Sequence, residues 1–195
     1  IGPSVRLAYG NENYYGGTFD QYGNITPLTT RNIPNLLWNT KVLVNYHHWH
    51  HIVPFGGLGF RFFQTDDAML LSGFLRRSHI IYLPIGINYH ADLPSQWEVR
   101  MHTELNVFLH GWQESDPSTF QRKIKTNEQR HGVGGQLAFA IQRQNWPIMI
   151  MPYANYWHIE KSDKVHYRGD GMLTSINEPD NTTKEIGLRI QWQVK

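Results

Sequence analysis

Histidines cluster at one point of the sequence and are the first candidates for chemistry. The segment YHHWHH holds four histidines between residues 46 and 51, and neutral imidazoles bind zinc, copper and nickel well. In an extended chain neighbouring side chains point to opposite faces, so only pairs such as His48 and His50 converge readily. Capture of a metal or haem is one interpretation of the segment. We favour the other, a turn at a membrane interface, where His and Trp are well accommodated.

The segment QWEVRMHTELNVFLHGW, from Gln96 to Trp112, carries a second pattern. His102 and Glu104 lie two residues apart, as a general base and its orienting carboxylate would on one face of a strand. A network of paired charges gives the same pattern without catalysis, and no serine nucleophile is fixed beside His102. We therefore favour the network, and we expect no catalytic residues here.

Two serine triads are further hypotheses for the chain, one from His110, Ser115 and Asp116 and one from His158, Glu160 and Ser162. Residues of these types are common in loops, and the sequence does not show that they converge. The sequence leaves enzymatic activity undecided, and we favour a protein that is not an enzyme.

Strict alternation positions most of these residues. In the 96–112 segment an apolar row from Trp97 to Leu109 alternates with a polar row from Glu98 to His110, and a period of two indicates a β-strand. The same alternation predicts eight strands in a single domain of residues 1–195. Their predicted bounds are Val5–Tyr15, Leu36–His48, Ile52–Phe63, His79–His90, Trp97–Gly111, Gly132–Arg143, Ile148–Ile159 and Glu185–Val194.

The predicted connections alternate between long and short along the whole chain. The long ones begin with residues 16–35, and the short ones include HWHH, ADLPSQ and QNWP. In an up-and-down barrel all odd connections share one rim, and outer-membrane barrels have short periplasmic turns and long extracellular loops. The sequence therefore predicts an all-β, eight-stranded antiparallel up-and-down transmembrane β-barrel.

The polar faces of these strands predict a charged interior. Small residues such as Gly57, Gly59 and Gly134 mix there with charges of nearly balanced sign. Buried charges need partners, so a balanced set is what a plugged lumen requires. The predicted lumen network consists of Arg61, Glu98, Arg100, His102, Glu104, Glu185 and Arg189. We expect Glu98, Arg100 and Glu104 to meet Arg189, Glu185 or Arg61.

Composition excludes several other classes. The formal charge of +2 with scattered basic residues argues against nucleic-acid binding. The absence of cysteine excludes disulfides and a Cys-ligated zinc site. The sequence contains no apolar run long enough for a transmembrane helix. The glycines of PFGGLGF and PIGINY are not in a phosphate-binding context, and we expect no cofactor.

Three segments carry a family resemblance: IIYLPIGINYHADLPSQWEVRMHTELNVFLHGWQES, MPYANYWHIEKSD and EPDNTTKEIGLRIQW. They resemble strands of small bacterial outer-membrane β-barrel proteins, the broad class that includes OmpA-like barrels. The resemblance covers about the last 120 of the 195 residues. It implies a closed barrel in a Gram-negative outer membrane, inserted by the barrel-assembly machinery. Such chains usually end in an aromatic residue, whereas this one ends QWQVK, where Trp192 could serve or a true terminus could be missing.

The expected role is that of a structural or interaction protein acting through its long extracellular loops, with the lumen closed by the charged network. Expected partners are outer-membrane lipid, lipopolysaccharide and a larger envelope complex. Basic loop residues could meet lipopolysaccharide phosphates or could simply be solvated. They are Arg76, Arg77, Arg122, Lys123 and Lys125. A membrane-embedded lipid A hydrolase or acyltransferase and a soluble lipocalin-like carrier are the alternatives.

Overall fold

The structure is a computed structural model that describes residues 1–19, 25–66, 75–116, 124–143, 145–169 and 172–192. All its long elements are β-strands, as the alternation predicts. The strands are β1 (Gly2–Phe19), β2 (Ile25–Asn45), β3 (Ile52–Asp66), β4 (Leu75–Leu93), β5 (Trp97–Asp116), β6 (Lys125–Gln129), β7 (Gly132–Arg143), β8 (Ile148–Ile159), β9 (Val165–Gly169), β10 (Met172–Ile176) and β11 (Asn181–Trp192). In the described ranges no helix is long and apolar enough to cross a membrane.

Eight of these strands form one antiparallel up-and-down sheet in the order β1-β2-β3-β4-β5-β7-β8-β11, curled into a half-barrel. They correspond to the eight predicted strands. The predicted closure is absent from the described residues, where β1 and β11 are the two edges of the sheet. Side chains join these edges instead, because Arg6 of β1 donates to Glu185 of β11.

Strand lengths differ from the prediction at one end of the sheet. β1 and β2 pair from Gly2 with Leu43 to Phe19 with Ile25, across most of the predicted 16–35 loop. β5 likewise continues to Asp116 and there pairs with the short β6. Backbone pairing can continue where neither face is buried, and alternation is then no longer required. We call this the loop end, and the opposite end, with residues 46–51 and 94–96, the short-turn end.

The apolar rows face outward and the polar rows face inward, as predicted. On β5, Leu105 is 46 % exposed, whereas Glu104 is 7 % exposed. Large apolar side chains are likewise exposed on β4, β7 and β11. His110 departs from the prediction, because a bulge pairs Tyr82 with Phe108 but Ile81 with His110. The extra residue puts Phe108 inside and leaves His110 exposed.

Four inward glycines lie directly opposite aromatic residues of the neighbouring strand. A ring on one strand can cover a glycine on the next, which stabilises the register of a curved sheet. In each pair, a Cβ added to the glycine would collide with the ring. The pairs are Phe55 with Gly86, Gly59 with Tyr82, Gly134 with Trp157 and Tyr153 with Gly187.

Gly59→Ala tests this packing. An added Cβ would lie 2.2 Å from Cζ of Tyr82, whose side chain is fully buried. We expect the free energy of unfolding to fall by about 1–3 kcal/mol in equilibrium urea unfolding, the usual range for overpacking. Gly56→Ala is the matched control on β3, because its nearest neighbours would lie 3.8 Å away. Equal stability of the two variants would contradict the packing argument.

Candidate functional site

The first of two charge clusters inside the half-barrel is centred on Glu185 of β11. Its Oε2 accepts hydrogen bonds from Arg6 at 2.5 Å and from Asn155 at 3.3 Å. Arg61 of β3 lies farther off, with its Nη1 4.0 Å from Glu185 Oε1. The Arg61 guanidinium also lies 5.2 Å from the centroid of the Trp157 ring. One carboxylate therefore serves two guanidinium groups.

The second cluster is centred on Glu104 of β5, which is almost completely buried. Its Oε2 forms an ion pair with Lys41 of β2 and lies 3.4 Å from His102 Nε2. The other ring nitrogen of His102 lies 2.7 Å from Asn88 Oδ1. The His102 ring stacks on Phe55 at 5.2 Å. Glu104 is thus compensated by one permanent cation.

The remaining members of the predicted network are placed differently. Arg100 pairs with Glu98 of its own strand. Arg189 lies with its guanidinium 5.9 Å from the centroid of the Tyr153 ring. The predicted meetings of Glu98, Arg100 or Glu104 with Arg61, Glu185 or Arg189 are not among the ion pairs of the described residues. Glu104 pairs with Lys41, and Arg61 lies near Glu185. The reason is position across the sheet, because β2 curls over to face β5 in the interior.

The interior around the charge clusters contains a packed core and a cavity. Towards the loop end the interior is packed by a core of buried side chains, namely Ile80, Tyr82, Phe108, Trp157 and Ile159. The ring of Tyr82 meets that of Trp157 edge-on at 5.1 Å, and its hydroxyl donates to Asn39 at 2.7 Å. A cavity of about 480 Å³ also lies in the interior, bounded by Arg61 and Trp157 on one side and by Arg189 and Gln191 on another.

None of the three proposed catalytic groupings is complete in the described residues. His102 and Glu104 are in contact, but both belong to the charge network. His110 is exposed while Ser115 is buried, so the two lie on opposite faces of β5. Ser162 Oγ accepts from the Glu178 backbone N–H and donates to the Asp163 carbonyl, whereas His158 Nδ1 contacts the Thr182 hydroxyl at 3.0 Å. The geometry therefore supports no nucleophile at these positions.

The basic residues predicted for lipopolysaccharide contact divide into two groups. Arg76 pairs with Glu178 at 3.1 Å, and Arg77 lies 4.0 Å from Glu114, both at the loop end. Lys125 begins β6 at the same end and is half-buried. Arg122 and Lys123 lie outside the described residues.

The weak metal candidates lie at the short-turn end. His48 and His50 are both exposed, and the ring of His48 stacks on Tyr46 at 5.7 Å. The part of the chain that the structure describes contains no group of three or more metal-binding side chains. The segment is the short connection between β2 and β3, and its position at a membrane interface stays a prediction.

An aromatic row crosses the outer face of four strands near the loop end. Trp38 pairs with Phe62, Phe62 with His79 and His79 with Trp112 in consecutive strand registers. The rings of His79 and Trp112 stack at 4.7 Å with an interplanar angle of 3°, and Phe62 meets His79 at 5.1 Å. This aromatic row ends the exposed apolar surface on that side.

Sequence reasoning placed Asn106 on the inward polar row of β5 but missed two aromatic residues of the interior, Tyr153 and Trp157. The signal for the two aromatic residues is an inward glycine at the paired position of the next strand, which becomes readable once the register is known. Asn106 is 3 % exposed, and in the part of the chain that the structure describes its Oδ1 has no hydrogen-bond partner.

No protein-family model matches the chain, and no curated protein matches it either.

Proposed function

We propose that this protein is a small outer-membrane β-barrel that acts as a structural or interaction protein through its loop end. The proposal includes closure of the half-barrel between β1 and β11 in the membrane, with a lumen blocked by the charged and aromatic interior. The Arg6–Glu185 pair, which already joins these two strands, supports the closure. Insertion would depend on the barrel-assembly machinery.

The observation that carries the proposal is the exposed apolar band on the outer face. On β4 alone, Leu83, Ile85 and Ile87 are each about two-fifths exposed. Soluble monomers rarely expose continuous apolar surface of this kind, and barrel proteins present it to lipid.

Aromatic residues border the band at both ends, as in the girdles of membrane barrels. The aromatic row lies at the loop end, and exposed Tyr46, Trp49, Trp97 and Trp146 lie at the short-turn end. The ten-residue step from His79 to Tyr89 on β4 rises about 33 Å along a strand, or about 25 Å along the axis at a tilt of about 40°. This height matches the apolar band of such barrels.

An ion pair and several hydrogen bonds connect different segments of the chain at the loop end. Arg76 pairs with Glu178, whose backbone N–H donates to Ser162 Oγ at 2.7 Å. Asp163 then exchanges hydrogen bonds with Glu128, through its backbone N–H at 3.0 Å and its carboxylate at 2.7 Å. These bonds hold Asp163 against β6 and connect Ser162 to Glu178. A polar surface connected in this way suits contact with an envelope partner or with lipopolysaccharide phosphates, for which Arg76, Arg77 and Lys125 are the proposed contacts.

Vesicle flotation tests the membrane assignment. The chain is unfolded in urea and diluted either into buffer or onto phosphatidylcholine vesicles, and each sample is centrifuged through a density gradient. We expect folded β-structure only with vesicles, where the protein floats and its vesicle-protected strands resist protease. A chain that folds in buffer without lipid and stays with the soluble fraction would contradict the proposal and favour the alternative, a soluble lipocalin-like carrier.

Ion conductance tests the blocked lumen. Tyr82 and Trp157 fill the interior next to Arg61, so we expect no large steady current from the purified protein in planar bilayers. Trp157→Ala removes the largest ring of this core and should introduce a measurable current. Large steady currents through the unaltered protein would show that the barrel is a pore.

A further inference from the structure

The interior cavity of about 480 Å³ has the size of a site for a small solute. Its lining includes four cationic side chains: Arg6 of β1, Lys41 of β2, Arg61 of β3 and Arg189 of β11. The rings of Tyr153 and Trp157 form part of its wall. It shares His102, Arg189 and Gln191 with a second cavity of about 420 Å³, which extends past Glu98 and Arg100 towards the short-turn end. A solute could reach it along this path.

The cavity wall carries more positive than negative charge. Lys41 is paired with Glu104, and Arg6 is paired with Glu185. Arg61 reaches only the outer limit of an ion pair, at 4.0 Å from the same Glu185. Arg189 contacts the Tyr153 ring, and the ion pairs of the described residues do not include it. Two guanidinium groups therefore lack a carboxylate of their own, and an anion is the ligand that compensates them.

A buried acceptor adds a second requirement. Asn106 lines the same cavity and is 3 % exposed, yet its Oδ1 has no hydrogen-bond partner among the described residues. A buried polar atom without a partner costs free energy, so a ligand that donates a hydrogen bond there is favoured. The dianionic phosphate group of a phosphate monoester has no O–H to donate, whereas sugar hydroxyls do. Aromatic walls such as Tyr153 and Trp157 suit the apolar face of a sugar ring.

We propose that this cavity binds a small hydroxylated anion of the sugar phosphate class. The phosphate lies between Arg189 and Arg61, where guanidinium groups form charge-assisted hydrogen bonds. A sugar hydroxyl donates to Asn106 Oδ1. The inference concerns the interior alone and holds whether or not the loop end binds an envelope partner.

Isothermal titration calorimetry of the full chain folded in detergent micelles tests the site. The probes are glucose 1-phosphate, glucose and inorganic phosphate. We expect glucose 1-phosphate to bind with a Kd below about 1 mM, and each of the other two to bind at least about tenfold more weakly. Higher salt should weaken binding of the phosphorylated sugar. No heat from glucose 1-phosphate up to about ten times that concentration, or equal affinity for inorganic phosphate, would overturn the proposal.

Variants separate the two recognition elements. Arg189→Gln removes a charge that has no ion-pair partner among the described residues, and it should weaken binding of glucose 1-phosphate about tenfold. Asn106→Ala should weaken glucose 1-phosphate similarly but leave the weak binding of inorganic phosphate unchanged. Arg76→Gln is the matched control, because Arg76 pairs with Glu178 at the loop end and lines neither cavity. If Arg76→Gln weakened binding as much as Arg189→Gln, the general charge of the protein rather than this site would be responsible. Circular dichroism confirms that each variant is folded, and Arg189→Gln, at a partly exposed position, tests the proposal if Asn106→Ala does not fold.

Discussion

Ile85→Arg is expected to lower the free energy of unfolding in lipid vesicles by about 2–4 kcal/mol. Ile85 projects from the outer face of β4 and is 41 % exposed. It lies between the aromatic row and the short-turn end, at the middle of the proposed apolar band. An arginine there would face hydrocarbon, whereas in water the same exposed position would tolerate it. Urea titration of vesicle-inserted protein, followed by tryptophan fluorescence, gives the measurement.

Ile52→Arg is the matched control. Ile52 is also an outward isoleucine, is 40 % exposed and begins β3 at the short-turn end. The two sites share side chain and exposure and differ in depth, so the control should cost only about 0–1 kcal/mol. Equal small losses in both variants would mean that the outer face meets water and that the membrane assignment is wrong.

The positions of the eight strands could be predicted because side chains on a strand alternate between two environments. That alternation runs unbroken from Trp97 to Val107 and predicts both the strand and its inward face. It fails at His110, where a bulge shifts the following residues by one position. It also fails near Phe19 and Asp116, where the strands continue past the apolar band. Backbone hydrogen bonds leave no mark on the sequence there.

The interior could be predicted as a set of charges but not as a set of pairs. Period-two alternation shows that Arg61, Glu104 and Glu185 face inward. Which of them meet depends on the curl of the sheet, which brings Lys41 of β2 against Glu104 of β5. No local pattern encodes a contact between strands so far apart in the chain. The sequence also does not show that Asn106 Oδ1 lacks a hydrogen-bond donor among the described residues, because this depends on the partners that the neighbouring side chains adopt.

The pairing of Glu104 can be measured with a double-mutant cycle. Glu104 is 7 % exposed, so Glu104→Ala leaves Lys41 without its carboxylate and should destabilise the protein by about 3 kcal/mol. Lys41→Ala should cost a similar amount, because it leaves Glu104 buried with His102 alone. Once one partner is absent, removing the other relieves the remaining charge. The double variant should therefore cost about 1–3 kcal/mol less than the sum of the single variants.

Arg189→Ala combined with Glu104→Ala is the control cycle. Arg189 contacts Tyr153 and does not pair with Glu104, so the two losses should add to within about 0.5 kcal/mol. Both cycles use urea unfolding in the same micelles, so that differences in the unfolded state cancel. The opposite result, coupling in the Arg189 cycle and additivity in the Lys41 cycle, would show that Glu104 pairs with Arg189. β11 would then face β5 across the interior. The predicted result, coupling with Lys41 only, would place β2 opposite β5 across the interior, because only a sheet curled as described brings these two strands together.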